Sequence, residues 1–458
     1  MIKTDVLILG GGLAGLSTAY HLNECGGLSS LVVEKNAAVG GTAGSVKQGG
    51  FVFDYTGHLL HLHDPYGKNL VLGLLRGNLA AHERSSWIYS RDVYTRYPFQ
   101  ANTYGLPSKV VEDCLAGFFK TIHRLDWRPL SPRPSFRDWS LRQFGAGISR
   151  HFMFPYNEKL WRTPLSRMTT EWQGRFVPKP AASEVLYGAL ADQKKFFGYN
   201  ASFRYPKRGG IQVLPDALAA RLKPGQIKTS SPVLSVDLRE RVAVAQGLGE
   251  VGFSRLVNTL PLVDFLDLAA PFPAAVRAAR AKLRYNTVYC LNLGVNRAAL
   301  PEKHWVYFPE KKYPFYRVGC YSNFAAANAP QGTSSFYIEI SRRAWEKADL
   351  PRLENAVLSG LRSCRILKSG DKLLSKFWMP IRCAYVVYDF ERTQAVEAIF
   401  KALGKMGVES IGRYGGWKYS FMEETILDGK RCAERLAGRS QPARLSPGDA
   451  QAELKPLK

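Results

Sequence analysis

The chain opens on a short apolar run, residues 5–9, that ends abruptly in glycines. A continuous apolar run of that length bounded by turn residues predicts a buried strand. Residues 10–15 then predict a turn, residues 16–23 a helix and residues 30–34 a second strand, a β-α-β opening of an α/β fold. Residues 107–195 predict a mainly helical stretch with scattered aromatics, broken by the Pro-rich segment 128–134. Strand and turn patterns return over 204–259, and β-rich runs such as 287–294 and 334–340 fill residues 284–385. A last helix is expected over 420–437, and the Ser/Pro/Gly-containing tail 441–458 reads as disordered. The interleaving implies a discontinuous nucleotide-binding domain over residues 1–100, 200–270 and 386–440. Inserted in it are a mainly helical domain at 101–199 and an antiparallel β-sheet substrate domain at 271–385.

Composition changes this picture little. With 458 residues, 46% hydrophobic and 22% charged, the chain suits two or three packed domains. No window approaches eighteen consecutive apolar residues and the N-terminus lacks the look of a secretory signal, so a cytoplasmic protein is expected. Seven cysteines are scattered singly with no metal-ligand spacing, which predicts buried thiols and no metal site. Charge is the unusual quantity, with 63 Lys+Arg against 38 Asp+Glu and a formal net charge of +25. The basic residues are dispersed rather than gathered in runs. That favours a small anionic substrate and a general attraction to acidic surfaces over a nucleic-acid partner. The oligomeric state is left open.

The first chemistry is at residues 10–15. Gly10-Gly11-Gly12-Leu13-Ala14-Gly15 satisfies G-x-G-x-x-G between a strand and a helix, where Gly10, Gly12 and Gly15 let backbone approach a pyrophosphate at a helix N-terminus. Glu34 closes the second strand, where its carboxylate is placed for an adenosine ribose. Together these predict a Rossmann-type dinucleotide site. Gly40-Gly41-Thr42-Ala43-Gly44 resembles the glycine-rich extension of FAD-binding proteins of the amine-oxidase and mutase superfamily. Ser231-Pro232-Val233-Leu234-Ser235-Val236 resembles their adenine-contacting strand, and Gly412-Arg413-Tyr414-Gly415-Gly416-Trp417 their turn before the last helix. The resemblance implies FAD as cofactor, with Gly41, Thr42, Val233, Arg413 and Met422 among its contacts.

A second set of segments resembles the UDP-galactopyranose mutases, in particular the eukaryotic type, up to about residue 437. These are Gly50 to His58, Tyr97-Pro98-Phe99-Gln100, Phe154 to Trp161, Asn200 to Pro206, Trp305 to Pro309 and Pro314 to Arg317. The resemblance implies that His58 sits against the flavin and that Tyr97, Phe99 and Gln100 receive a uracil. It also implies that Asn157 and Trp161 face the sugar and that Asn200 and Trp305 bind the substrate. Arg175 and Arg317 would be the diphosphate cations, with Tyr307, Tyr385 and Tyr419 as phenolic donors, since a diphosphate suits guanidinium forks and hydroxyls.

The implied reaction is a pyranose/furanose interconversion of a UDP-sugar, in which N5 of reduced FAD attacks the anomeric carbon. Arg84 and Ser86 match positions implied to dock a nicotinamide, which makes NAD(P)H the candidate reductant. Three departures stand out: Thr56 replaces a loop glycine before Gly57-His58, Phe324 replaces a tyrosine, and a short insert after Tyr419 is missing. A diverged enzyme acting on another UDP-sugar, or by another rearrangement, is therefore an open alternative. So is an FAD-dependent oxidase or desaturase of the amine-oxidase type, which would need an apolar or amine-shaped pocket.

Overall fold

The computed structural model describes residues 1–123, 125, 131–198, 200–298 and 302–439; the predicted tail 441–458 and part of the Pro-rich break lie outside them. The opening run forms the strand Ile2–Leu9, whose residues Val6 to Leu9 are fully buried. It lies parallel to Ser30–Val33 on one side and to Gly249–Asn258 on the other. Strands covered on both faces read as unbroken apolar runs, which is why this strand was visible in the sequence. The sheet has eight strands, with Val408–Ser410 also parallel to Gly249–Asn258 and Val233–Asp237 reached through the antiparallel Val242–Ala245.

The first helix, Leu13–Cys25, starts earlier than the expected residue 16, so Ala14 and Gly15 are helical rather than part of the turn. The closing helix Met422–Leu436 packs along it. Contact is close because Gly429 has no side chain: a Cβ there would lie 2.6 Å from that of Ser17, whose Oγ donates to Ile426 O at 2.6 Å. The C-terminal helix therefore begins beside the N-terminal glycine turn.

A second, seven-stranded sheet runs Leu373–Val386, Tyr285–Val295, Ser334–Arg343, Arg317–Cys320, Trp305–Tyr307, Ser86–Ser90, Val93–Arg96. It is antiparallel except where Trp305–Tyr307 runs parallel to Ser86–Ser90. Its last two strands come from residues 86–96, which the sequence reading had grouped with the nucleotide-binding segments. The pairing of Leu373–Val386 slips between Asn286 and Val288, and Cys383 there has φ +54°. Such a bulge re-aims neighbouring side chains, and Arg382, Ala384 and Tyr385 beside it all face the central cavity. The helices Ser108–Ile122, Phe136–Ile148, Phe154–Trp161 and Ala182–Leu190 account for the predicted helical stretch. No described helix is long and apolar enough to cross a membrane.

Candidate active site

One cavity of about 760 Å³ runs from the glycine turn of the first sheet to the helix Phe154–Trp161 and the second sheet. Its size falls in the range of small-molecule and cofactor sites. At one end it is lined by Gly10, Gly12, Glu34, Gly41, Thr42 and Val233, and further along by Arg413 and Met422. At the other end it is lined by His58, Tyr97, Gln100, Asn157, Trp161 and Asn200, with Trp305, Tyr307, Arg317, Tyr385 and Tyr419 opposite.

Three predicted residues stand differently. Gly15 does not reach the cavity; a Cβ on it would lie 2.0 Å from Gly10 O, so its role is to let helix and turn touch. Phe99 is fully buried and stacks on Phe152 at 5.1 Å, which in turn stacks on Tyr156 at 5.3 Å. Phe99 thus backs the wall while Phe152 and Tyr156 form it. Arg175 lies on the short turn Gly174–Phe176, and its side chain is outside the described residues. Phe324, the expected change at the sugar end, is absent from the wall; it is buried against Phe203, Tyr205, His304, Tyr321 and Tyr337. Tyr337 does line the cavity, so Phe324 acts on it at one remove.

The glycine end fits a dinucleotide. Gly12 caps the helix Leu13–Cys25 with no side-chain acceptor and no acid in the first turn, leaving its N–H groups to a ligand. A Cβ on Gly12 would meet no protein atom within 4 Å, so the space before the helix is open. Glu34 accepts from Gly11 N at 2.7 Å and Asn36 N at 2.9 Å. An ionised carboxylate has about four acceptor sites, so two remain for ribose hydroxyls. At the closing helix, Glu424 accepts from Phe421 N at 3.1 Å. Its neighbour Glu423 accepts from His63 N at 2.7 Å and Asp64 N at 3.0 Å. Both acids at that helix start are thereby engaged with backbone amides.

The other end is cationic and aromatic. Arg317 is 19% exposed and pairs with the wholly buried Glu339. Arg413 donates to Ser420 O at 2.9 Å and Ala384 O at 3.1 Å, with its guanidinium over the Tyr419 ring at 4.9 Å. Tyr385 and Tyr419 lie nearly parallel, 6.0 Å apart at 17°, and Trp161 meets Tyr385 edge-on at 5.6 Å. Burial pushes the Tyr97, Tyr385 and Tyr419 phenols up, so they remain O–H donors at neutral pH. Burial, then the charges of Arg413 and Arg317, pull His58 down to about 4, which keeps its imidazole neutral. The indole Nε1 atoms of Trp161, Trp172 and Trp305, the Nδ1 of His58 and the Oε1 of Gln100 have no protein hydrogen-bond partner, a concentration of unmet polar atoms around one cavity.

Glu339, Tyr156, Tyr337 and Trp172 were missed in the sequence. Glu339 left a signal: it is the lone acid in the apolar run Phe336-Tyr337-Ile338-Glu339-Ile340, and carboxylates are seldom fully buried without a partner.

The chain belongs to the flavin containing amine oxidoreductase family, which it matches over residues 13–437, and it is an FAD-dependent enzyme. Within that class it is like a UDP-galactopyranose mutase: it superimposes on a crystal structure of the reduced form of one with a TM-score of 0.91. Identity is 26%, covering 98% of this chain and 99% of that one. The fold is shared more distantly with a candidate protoporphyrinogen oxidase from Exiguobacterium sp. 255-15 (TM-score 0.72, 13% identity, 96% and 99% covered). It is shared too with a putrescine oxidase bound to putrescine (TM-score 0.63, 17% identity, 96% and 100% covered).

Proposed function

We propose that this chain acts in the cytoplasm as a flavin-dependent mutase of a UDP-sugar, interconverting pyranose and furanose forms. The observation that carries this is the cavity itself, one continuous space with a dinucleotide cradle at one end and a guanidinium among phenols and indoles at the other. A pocket for an amine would call for unpaired carboxylates or an apolar wall. Three guanidiniums lining this one, those of Arg317, Arg382 and Arg413, count against the oxidase alternative.

When bound and reduced, FAD supplies the nucleophile of the reaction at its N5. The chain's residues hold and shield the substrate. Arg317, with Arg175 as the second cation, binds the diphosphate, and Tyr307, Tyr385 and Tyr419 donate phenolic hydrogen bonds to its oxygens. Holding the departed diphosphate near the anomeric carbon is a matter of proximity and charge. Tyr97 and Gln100 receive the uracil. Asn157, Asn200, Trp161 and Trp305 surround the sugar and keep out water that would hydrolyse it. Neutral His58 stands at the junction as a hydrogen-bonding rather than a charged group. NAD(P)H is the proposed reductant; in support, Arg84 and Ser86 line a separate recess of about 290 Å³ that shares Tyr97 with the main cavity.

The test is to reduce the purified yellow protein with dithionite or NADPH and follow UDP-galactose by NMR. Furanose product from reduced enzyme alone supports the mutase. Binding of UDP-sugars without isomerisation points to the diverged enzyme, and no binding of any UDP-sugar overturns the proposal.

A further inference from the structure

The segment Phe154 to Trp161 contains one basic side chain that the function above leaves unused. Lys159 projects from the helix Phe154–Trp161 away from the cavity and donates to three backbone carbonyls: Phe308 O at 2.8 Å, Glu310 O at 2.6 Å and Phe315 O at 2.9 Å. An ammonium has three donors, and here every one is spent on the same loop. That loop closes on itself through Phe308 N to Tyr316 O at 2.9 Å. Its first carbonyl follows Tyr307 and its last precedes Tyr316 and Arg317, all three of which line the cavity. On the helix side, Asn157 and Trp161 flank Lys159 and line the facing wall.

We propose that Lys159 is a positioning residue, setting the helix that carries Asn157 and Trp161 in register with the loop that carries Tyr307 and Arg317. It rests on the UDP-sugar reading, in which the sugar is held by one wall and the diphosphate by the other. A side chain without donors at 159 orphans the Phe308 and Phe315 carbonyls, leaves Glu310 O only Tyr313 N at 3.3 Å, and uncouples the walls, which weakens ground-state binding more than the chemistry that follows.

The charged form matters to the geometry. Burial draws Lys159 down to about 7, opposed by Glu310. As pH rises past that value the amine keeps two N–H groups and one carbonyl loses its donor. The charged group acting on it is Glu310, with its partners Arg91 and Lys312; on its own element Glu158 is the adjacent residue and Arg162 the C-cap, and the Arg317–Glu339 pair follows the loop. His151, 3.4 Å from Arg91 and 3.1 Å from Asp113, is another ionisable side chain reached through Arg91, so His151→Gln is the matching control.

The experiment uses the FAD-loaded, dithionite-reduced full chain with UDP-galactose. Lys159→Met is expected to retain FAD and raise KM about tenfold with kcat within about twofold, and Lys159→Arg to recover part of the loss. In the wild type and in His151→Gln alike, UDP-galactose affinity should fall as pH rises from 6 to 8.5. An unchanged KM in Lys159→Met overturns the proposal, as does a loss confined to kcat. Should Lys159→Met fail to fold, a flat pH profile in the two other proteins overturns it and a falling one sustains it. A wild type that binds no UDP-galactose at any pH overturns the mutase reading and this one with it.

Discussion

Glu339 grips Arg317 from its buried side, with Arg317 Nε donating to Oε2 at 2.8 Å and Nη2 to Oε1 at 2.6 Å. The fork orients the guanidinium and leaves its remaining N–H groups for a ligand. Because Glu339 has no exposure, the pair is costly to break from either side. Glu339→Gln is expected to lose about 3 kcal/mol of stability in urea unfolding and to weaken UDP binding by letting Arg317 turn. A loss under about 1 kcal/mol with unchanged UDP affinity would show that Arg317 is held by something else.

Two glycines of one fingerprint should fail in opposite ways. Gly12→Ala places its Cβ in open space, so the FAD-free protein should melt where FAD-free wild type does yet purify nearly colourless, its FAD-to-protein ratio several-fold down. Gly15→Ala drives a Cβ onto Gly10 O at 2.0 Å and should impair folding itself. Absorbance at the flavin band and a thermal melt separate the two, and a fully yellow Gly12→Ala protein would contradict the assigned cradle.

These contrasts mark what was legible in the chain. The glycine turn was visible because backbone approach restricts residue type, and Ile2–Leu9 because double-sided burial leaves an unbroken apolar run. The cavity residues carried by quoted motifs were legible only jointly, since an isolated tyrosine or tryptophan is ordinary core. Glu339 went unread because a partner 22 residues away across a strand pair leaves no local spacing. Phe99 was misplaced for a related reason: an aromatic beside a wall residue can equally stack behind it, as Phe99 does behind Phe152, and only packing decides which ring faces inward. Residues 86–96, expected within the nucleotide-binding segments, pair with the second sheet, because their pairing with Trp305–Tyr307 is a long-range contact that periodicity does not encode.

The loop before His58 stores strain. Thr56 has φ +71°, a left-handed conformation that a β-branched residue adopts at a cost of about 1–2 kcal/mol. Tight turns on either side, Thr56 N to Asp54 O at 2.9 Å and His58 N to Thr56 O at 3.0 Å, hold it there. Thr56→Gly removes the strain but adds about 0.5–1 kcal/mol of unfolded-chain entropy, for a net change between zero and about 1.5 kcal/mol in favour of folding. Gly57→Ala should instead destabilise, because its Cβ would lie 2.4 Å from the Tyr337 hydroxyl. Thermal melting of the FAD-loaded variants checks both, and a clear loss in Thr56→Gly would mean that the threonine side chain contributes more than its backbone costs.

Acid sensitivity should report on His58. Its pKa falls from 6.5 in the unfolded chain to about 4 in the folded one, chiefly through burial and then through Arg413 and Arg317. Above pH 6.5 both states are neutral and the contribution to stability is complete. Between 6.5 and 4 only the unfolded chain takes up the proton, so stability drops, by on the order of 3 kcal/mol across the window. Half-buried His304, also drawn down to about 4, adds to the same slope. Asp54 opposes it: burial raises its carboxyl to about 6, so its contribution is complete below 3.8 and is lost as pH rises through 6. Net stability alone therefore cannot isolate His58, but a comparison can. Urea unfolding of wild type and His58→Asn at fixed FAD, at pH 7 and pH 4.5, should show a smaller acid loss in the variant by about 2–3 kcal/mol. Equal losses would mean that His58 is already charged in the folded protein, and a charged imidazole between two guanidiniums would make the cavity a stronger anion site than its neutral form provides.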